Sequence, residues 1–533
     1  MSEKTFAFIP VRLSSKRLPQ KHFKYIGDKS LLSWVIYRLK QCLQLNGIVI
    51  CTVSEKDSDK LADFAKQEQV ELFVYENDVN DVVGRLTQAA IKYDASICVL
   101  ASGDCPLLNC CTIDGMVSML KNDPTAAHVS FEAINGKLPI HEGIVISRRW
   151  LWELSEQVSD NPYLREHHFP VFLLNVYPEK FKDVKTIFFK DKDLFYCLDH
   201  RISIDTPSDL KFMNALFDAL KEENKEFNLE NSVILLDKKR ELEDINKDVH
   251  QKKISDQDCN VVFFIGSRLY AHYEGVFRTL EIAKCMVNEF CSGVRFITTR
   301  DGEKDIIEEN NFYAVLGDIT DVDTLYRDIK FDIAVLDLSR DYNIGNYIAE
   351  ELKLRRDIKK VVFIGSIENQ FIRKPKDIDL IIMPEISCSN TSFDNLKCGR
   401  RYVVIREEIK NAKKYLPEKQ NNILINTFDD TLNDKLLERA KTLKIGFTFS
   451  IMREYEKSYP EALAKSKVLI TSISAAAYEA VYLDAIPLLI ALSPEEQNAI
   501  EMFYEDTKSI DRNELAQGAR NIAEEIFQLM NKP

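Results

Sequence analysis

A regular alternation of short apolar runs with amphipathic segments constrains this chain more than anything else in it. Residues 5–11 form a first apolar run and residues 47–54 (GIVICTVS) a second. Residues 56–69 have helical periodicity, and residues 70–76 (VELFVYE) again read as a strand. That order specifies an α/β domain with a doubly wound sheet. A highly charged stretch, residues 221–258, interrupts it. The stretch holds one apolar run, 232–236, and reads as a last helix plus linker with a boundary near residue 255. Beyond it the alternation restarts. Strands are expected at 260–268, 294–299, 332–338, 360–366 and 379–385, and a helix at 276–290. A second half-sheet is expected from 422–428, 444–450, 467–472 and 486–492. The organisation predicted is a first domain at 1–225, a charged helix and linker at 226–258, and a second domain at 259–533. At 533 residues the chain has the length for two or three domains.

Chemistry gathers at the carboxyl ends of three of these runs. Residues 9–22, IPVRLSSKRLPQKH, place Arg12, Lys16, Arg17 and Lys21 in a loop that leaves the first strand. Open α/β sheets bind ligands there. Four cations suit a triphosphate; a solvated basic turn is the other reading. The loop has neither the Walker pattern nor G-x-G-x-x-G. Residues 99–108, VLASGDCPLL, are an apolar strand ending in Gly103-Asp104 and stopped by Pro106. A carboxylate at a strand end, beside a glycine that admits a ligand, suits a hard divalent cation. Residues 202–210, ISIDTPSDL, repeat that layout: Asp205 ends a short strand, and Thr206-Pro207-Ser208-Asp209 opens a helix. Taken singly, each aspartate reads as readily as a cap or turn residue. Together with the basic loop they make a nucleotidyl-transfer constellation, because Mg²⁺ needs carboxylates while phosphates need Lys and Arg.

With these segments in view, the first 220 or so residues resemble the sugar-acid cytidylyltransferases, and within them the spore-coat polysaccharide branch. The likeness is carried by IPVRLSSKRLPQKH, by LLSWVIYRL at 31–39, by Asp78 with DVVGRL at 81–86, by LASGDCPLL, by YLREHHF at 163–169 and by SIDTPSDL. The resemblance implies a Rossmann-like, nucleotide-diphospho-sugar transferase fold. It implies that Arg12 and Lys21 hold the phosphates of CTP, and that Pro10, Ser14, Ser15, Arg17, Ser102 and Gly103 complete the nucleotide site. It implies Mg²⁺ on Asp104 and Asp205, and an approach of Arg85, Arg165, Glu166 and His167 to an acidic sugar such as a nonulosonic acid. A homodimer is expected. One departure is Gln20, where the family usually has glycine in an L-P-G-K turn. Transfer to a phosphorylated or phosphonate small molecule stays open as an alternative, since acceptor choice lies in side chains whose pose the sequence does not give.

Composition excludes several other classes. The net charge of −13 argues against general nucleic-acid binding, so the basic loop should be a local site. Twelve cysteines include no C-x-x-C pair, and Cys51, Cys98 and Cys197 lie in apolar runs. They read as reduced, buried thiols of a cytoplasmic protein. No apolar run approaches twenty residues and the polar start leads straight into a strand, so neither secretion nor a membrane span is expected.

The second half, about 260–510, resembles the nucleotide-sugar hydrolases that remove UDP from a diacetamido-trideoxy sugar on the way to pseudaminic acid. Arg278-Thr279-Leu280, CGRRYVVIREE at 398–408, AYEAVYLDAIP at 477–487 and Gln497 carry the likeness, which implies a two-lobed, glycosyltransferase-B-like fold. The family's motifs are eroded here. Gly275 stands where G-x-G-H-x-x-R puts the essential histidine, and His272 is out of register. Thr427-Phe428-Asp429-Asp430 and Ser472-Ile473-Ser474-Ala475-Ala476 replace two glycine turns. Glycines let backbone N–H groups close on a pyrophosphate, whereas aspartates repel it. Only seventeen glycines occur in the whole chain, about half the usual frequency. This half is therefore expected to be degenerate, with Glu479 and Gln497 left to packing or another ligand, or to serve as a binding or dimerisation scaffold.

Overall fold

The computed structural model of the chain describes residues 3–54, 58–141, 143–159, 162–166, 176–251, 259–266, 273–317, 331–338, 342–354, 358–365, 377–384, 394–415, 417–427, 429–442, 446–492, 494–508 and 510–530. It divides into two compact units, Met1–Val249 and His250–Pro533.

The first unit is built on one seven-stranded sheet: Thr5–Pro10 (β1), Gly47–Val53 (β2), Glu71–Tyr75 (β3), Ile97–Ala101 (β4), His128–Phe131 (β5), Ile144–Arg148 (β6) and Thr186–Phe189 (β7). Their spatial order is β3-β2-β1-β4-β6-β5-β7. Strands β1 to β4 are parallel, as the alternation predicts. The sheet as a whole is mixed, because β6 runs antiparallel to both its neighbours. Both faces of the central strands are covered, which is why these strands are nearly continuous apolar runs. Ala7 and Ile9 point into one core with Val35 and Ile36 of Leu31–Lys40 (α1). Phe8 points the other way, into a core with Leu86 and Ala89 of Val82–Lys92 (α2) and with Trp152.

Residues 226–249 of the stretch set apart in the sequence as helix and linker belong to this unit. Pro207–Glu222 (α3) is followed by Leu229–Lys238 (α4), and Leu229, Val233, Leu235 and Leu236 are buried with Leu210, Met213 and Leu216 of α3. The charges that suggested a linker lie on the outer face of α4, while its apolar stripe is core. Cys51 and Cys98 are buried free thiols, but Cys197 is exposed just after the short turn Asp193–Tyr196. Cys398 also departs from the expectation of reduced thiols, being disulfide-bonded.

The second unit carries two all-parallel sheets. Asn260–Ile265 (β8), Gly293–Thr298 (β9), Ala314–Leu316 (β10), Ile333–Asp337 (β11), Lys360–Ile364 (β12), Leu380–Met383 (β13) and Leu396–Cys398 (β14) order as β10-β9-β8-β11-β12-β13-β14. Gln420–Asn426 (β15), Thr448–Ile451 (β16), Ser466–Thr471 (β17) and Ile486–Leu489 (β18) order as β16-β15-β17-β18. Among the described residues no helix is long and apolar enough to cross a membrane.

Candidate active site

Strand β1 pairs with β2 on one side and with β4 on the other. Connections leave in opposite directions at that point, so a crevice opens at the carboxyl ends of β1 and β4. The basic loop follows β1, and Ser102-Gly103-Asp104 follows β4. Lys21, in the single turn Lys21–Phe23, bridges two carboxylates there: its Nζ donates to Asp104 Oδ2 at 2.7 Å and to Asp205 Oδ1 at 2.8 Å.

Asp205 reaches this point by a route the sequence did not suggest. Residues 202–206 form no strand. The Ile204 N–H donates to the Asp104 carbonyl at 2.9 Å, and beyond it the N–H groups of Asp205 and Thr206 both donate to Asp209 Oδ2 at 3.0 Å. With those donors taken, no strand ladder can continue. The Thr206 side chain accepts from the Asp209 N–H in return, so a capping box fixes the start of α3 and the aim of Asp205. Asn246, from the supposed linker, donates to Asp209 Oδ1 at 3.0 Å and locks the arrangement from behind.

Charge is concentrated here. Arg17 lies 3.2 Å from Asp205 Oδ2, Arg201 pairs with the same oxygen, and Ser102 Oγ donates to Asp104 Oδ1 at 2.6 Å. Burial opposes every charged form, but Lys21 outweighs it for Asp104, and Lys21, Arg17 and Arg201 do so for Asp205; both carboxyls are held below the usual range. Lys21 loses to burial and gains more from the two aspartates, so its ammonium titrates above its ordinary value. His22 is buried, and burial together with the Lys21 charge lowers it to about 4, so it is neutral near pH 7. Its Nδ1 lies 3.1 Å from the Gly103 carbonyl, which can only accept, so Nδ1 carries the proton. A Cβ on Gly103 would stand 2.9 Å from the His22 ring, which is why glycine is required here. Gln20 takes the left-handed conformation, φ 52, that glycine normally supplies.

The remaining expected residues are placed unevenly. Pro10 ends β1, Ser14 is exposed, and Ser15 Oγ accepts from the Leu18 N–H at 3.4 Å. Arg12 and Glu166 meet at 3.2 Å, joining the basic loop to the short helix Pro162–Glu166. Arg165 grips Asp81 through two bonds of 3.0 and 2.8 Å and donates to the carbonyls of Glu156 and Ser159. Asp81 in turn caps α2, so Arg165 positions its neighbour Glu166. Arg85 is 2% exposed and sits inside the unit. His167 lies outside the described residues. Sequence reading missed His22, Arg201 and Asn246, and saw Asp209 only as part of a helix start. It also missed a buried cluster in which His141 Nε2 and Thr112 Oγ1 bond Asp191 Oδ2 at 2.7 and 2.6 Å. The carbonyl of nearby Gly143 accepts from the Ser102 N–H at 2.8 Å. A histidine beside a glycine at a strand start was the available signal.

The donor set at Asp104 and Asp205 fits Mg²⁺: two hard carboxylates that converge on one cationic point. Among the described residues no group of three or more His, Cys, Asp or Glu side chains could hold a metal ion. Two carboxylates with water and phosphate oxygens are what Mg²⁺ favours over an all-protein cage.

In the second unit the eroded positions are occupied by internal pairs. Gly275 lies in the first turn of Glu274–Asn288 (α5), and a Cβ there would come within 3.2 Å of Asp337 Oδ1. Arg278 binds Asp337 with two bonds of 2.8 and 3.0 Å. Glu274 Oε1 accepts from the Ala475 N–H at 3.2 Å, at the start of Ala475–Tyr482. Glu479 is buried and paired with Arg406 through bonds of 2.7 and 2.8 Å, and Gln497 is exposed. Asp429 caps the helix Asp430–Lys441. Glu454 faces the same crowd; burial first, and then Glu274, push its carboxyl up to about 7.

Residues 6–261 match the family model described as cytidylyltransferase. An uncharacterised protein of Methanocaldococcus jannaschii is 26% identical over 256 residues, 47% of this chain and 97% of that protein. The 3-deoxy-manno-octulosonate cytidylyltransferase of Acidobacterium capsulatum is 31% identical over 100 residues, 19% of this chain and 39% of the relative. A solved cytidylyltransferase from Leptospira borgpetersenii is 24% identical, covering 47% of this chain and all of that one, with a TM-score of 0.38.

Proposed function

We propose that this chain, a nucleotidyltransferase whose first unit is of the cytidylyltransferase family, transfers CMP from CTP to an acidic sugar such as a nonulosonic acid, releasing pyrophosphate for surface-glycan synthesis. The convergence of Lys21, Asp104 and Asp205 at the turn of the strand order carries this reading. The acceptor hydroxyl attacks the α-phosphorus as its bond to the β-bridging oxygen breaks; the hydroxyl proton passes to solvent and pyrophosphate leaves. Lys21, Arg17 and Arg12 face the phosphates and take up their charge. Mg²⁺ held by Asp104 and Asp205 would supply charge neutralisation at the reacting phosphate. Gly103 lets the nucleotide approach the backbone, and neutral His22 stiffens that turn without adding charge. Glu166, steered by Arg165, would meet the acceptor. No protein nucleophile is needed.

Pyrophosphate release should be measured with each of the four nucleotides against a panel of acids. Release with CTP and an acidic sugar supports the reading. Release only with a phosphorylated or phosphonate acceptor redirects it, and no release with any nucleotide refutes it. For the second unit we infer a glycosyltransferase-B-like binding or assembly module without UDP-sugar hydrolysis. The support is that Glu274 occupies the Ala475 N–H and that Arg406 holds Glu479, where an anion and its nucleoside would be received. UDP released from a diacetamido sugar by the full chain would overturn this.

A further inference from the structure

The two carboxylates assigned to a divalent cation face an ammonium of the chain itself. Every one of their oxygens is engaged. Lys21 takes Asp104 Oδ2 and Asp205 Oδ1, Ser102 takes Asp104 Oδ1, and Arg17 and Arg201 take Asp205 Oδ2. A dication arriving alone would compete with Lys21 for the inner lone pairs and meet a like charge at contact distance. We propose that Lys21 is a built-in placeholder for the divalent cation: its ammonium bridges Asp104 and Asp205 in the unliganded enzyme, and nucleotide binding draws it onto a phosphate and opens the pair to the metal. The proposal rests on the reading that CTP and Mg²⁺ share this crevice, and it adds an order: nucleotide first or together with the ion, the ion alone binding only weakly.

The surrounding residues suit such an exchange. Lysine carries a point charge on a flexible four-carbon stem, so it can swing between acceptors, whereas a forked guanidinium is committed to its geometry. Arg17 and Arg201 hold Asp205 from its outer oxygen, and Arg201 also lies 3.4 Å from buried Asp209. Both guanidiniums remain when Lys21 departs, so Asp205 stays aimed. Lys21 itself belongs to one short turn, held by a Gln20 in a disfavoured conformation rather than by a helix. Coupling between ion and nucleotide is then reciprocal: each raises affinity for the other by the same factor.

The test uses the full chain and Mn²⁺ alone as probe, with bound and free ion counted by electron paramagnetic resonance in the absence of nucleotide. Wild type should bind Mn²⁺ at this site at least tenfold more weakly than Lys21→Met, since two charge-assisted contacts no longer compete with the ion. The gain should vanish when Asp205→Asn is added. Lys21→Gln provides a second variant should Lys21→Met fail to give native circular dichroism. Equal affinity of wild type and both variants, or no binding by any of them, overturns the placeholder. Pyrophosphate release from CTP by the wild type, measured in parallel, tests the underlying reading separately: release with equal Mn²⁺ affinities removes only the placeholder.

Discussion

Glu454 makes the stability of the second unit depend on pH in a direction that can be worked out. Its carboxyl is raised from an ordinary 4.5 to about 7 by burial and by Glu274, against the pull of Arg406 and a 3.3 Å bond from Asn426. Below pH 4.5 the group is protonated whether the chain is folded or not, and its contribution is fully present. Between 4.5 and 7 the unfolded chain ionises while the folded one keeps its proton, so stability falls as pH rises; above 7 it levels off. At ~1.4 kcal/mol per unit the whole shift is worth about 3 kcal/mol. Glu454 is partly open to solvent, so screening should leave about half of that. All three tryptophans, Trp34, Trp150 and Trp152, lie in the first unit. Tryptophan fluorescence therefore follows that unit alone during urea unfolding, while far-ultraviolet circular dichroism follows both, and their difference reports the second. Its midpoint should drop from pH 5 to pH 7, and Glu454→Gln should flatten the trend. An undiminished slope in the glutamine variant refutes the reasoning.

Four further outcomes are expected. Asp104→Asn and Asp205→Asn should each lower pyrophosphate release by at least a hundredfold with circular dichroism unchanged; near-wild-type turnover would make that aspartate a structural cap. Arg12→Ala and Arg17→Ala should each weaken CTP binding about ten- to a hundredfold by calorimetry, the loss of one charge-assisted contact, and unchanged affinity in both would remove the loop's role. Gln20→Gly should stabilise the first unit by about 0.5–1 kcal/mol, the left-handed penalty less glycine's entropy, seen as a higher urea midpoint in tryptophan fluorescence; a lower midpoint counts against it. Gly275→His should not produce UDP release, because the new side chain meets Asp337 and Glu274 still holds the Ala475 N–H; a gain of hydrolysis detected chromatographically would disprove this.

Much of the fold was legible because central parallel strands advertise themselves as apolar runs. Strands β1, β2, β3 and β4 lie within a residue or two of where the alternation put them. Strands β5, β6 and β7 were not seen: short, partly exposed strands near a sheet edge lack the uninterrupted run that marks β1 and β4. At the site, Lys21, Asp104 and Asp205 were legible as types of residue at chain positions. Their mutual contact was not, since it depends on a backbone bond from Ile204 to Asp104 and on the capping box that replaces a strand. Arg201 and Asn246 escaped for the same reason, each acting through another residue, and Asp209 was legible only as a helix start. The charge density of residues 226–249 pointed to solvent, and it took the packed apolar stripe of α4 to show a wall of the first unit.

The three charged groups of the crevice are far apart along the chain: Lys21 is separated from Asp104 by 83 positions and from Asp205 by 184. Long-range closures of that kind form late in folding, after local helices and hairpins. During synthesis, a nascent chain can expose the basic loop long before Asp205 has left the ribosome, yet it has no crevice to offer. Only a finished first unit, with α3 and α4 docked, has the crevice at which nucleotide and ion are proposed to bind. On that proposal truncated products would sequester neither, and ligand binding would report completed folding, stabilising the whole unit by mass action.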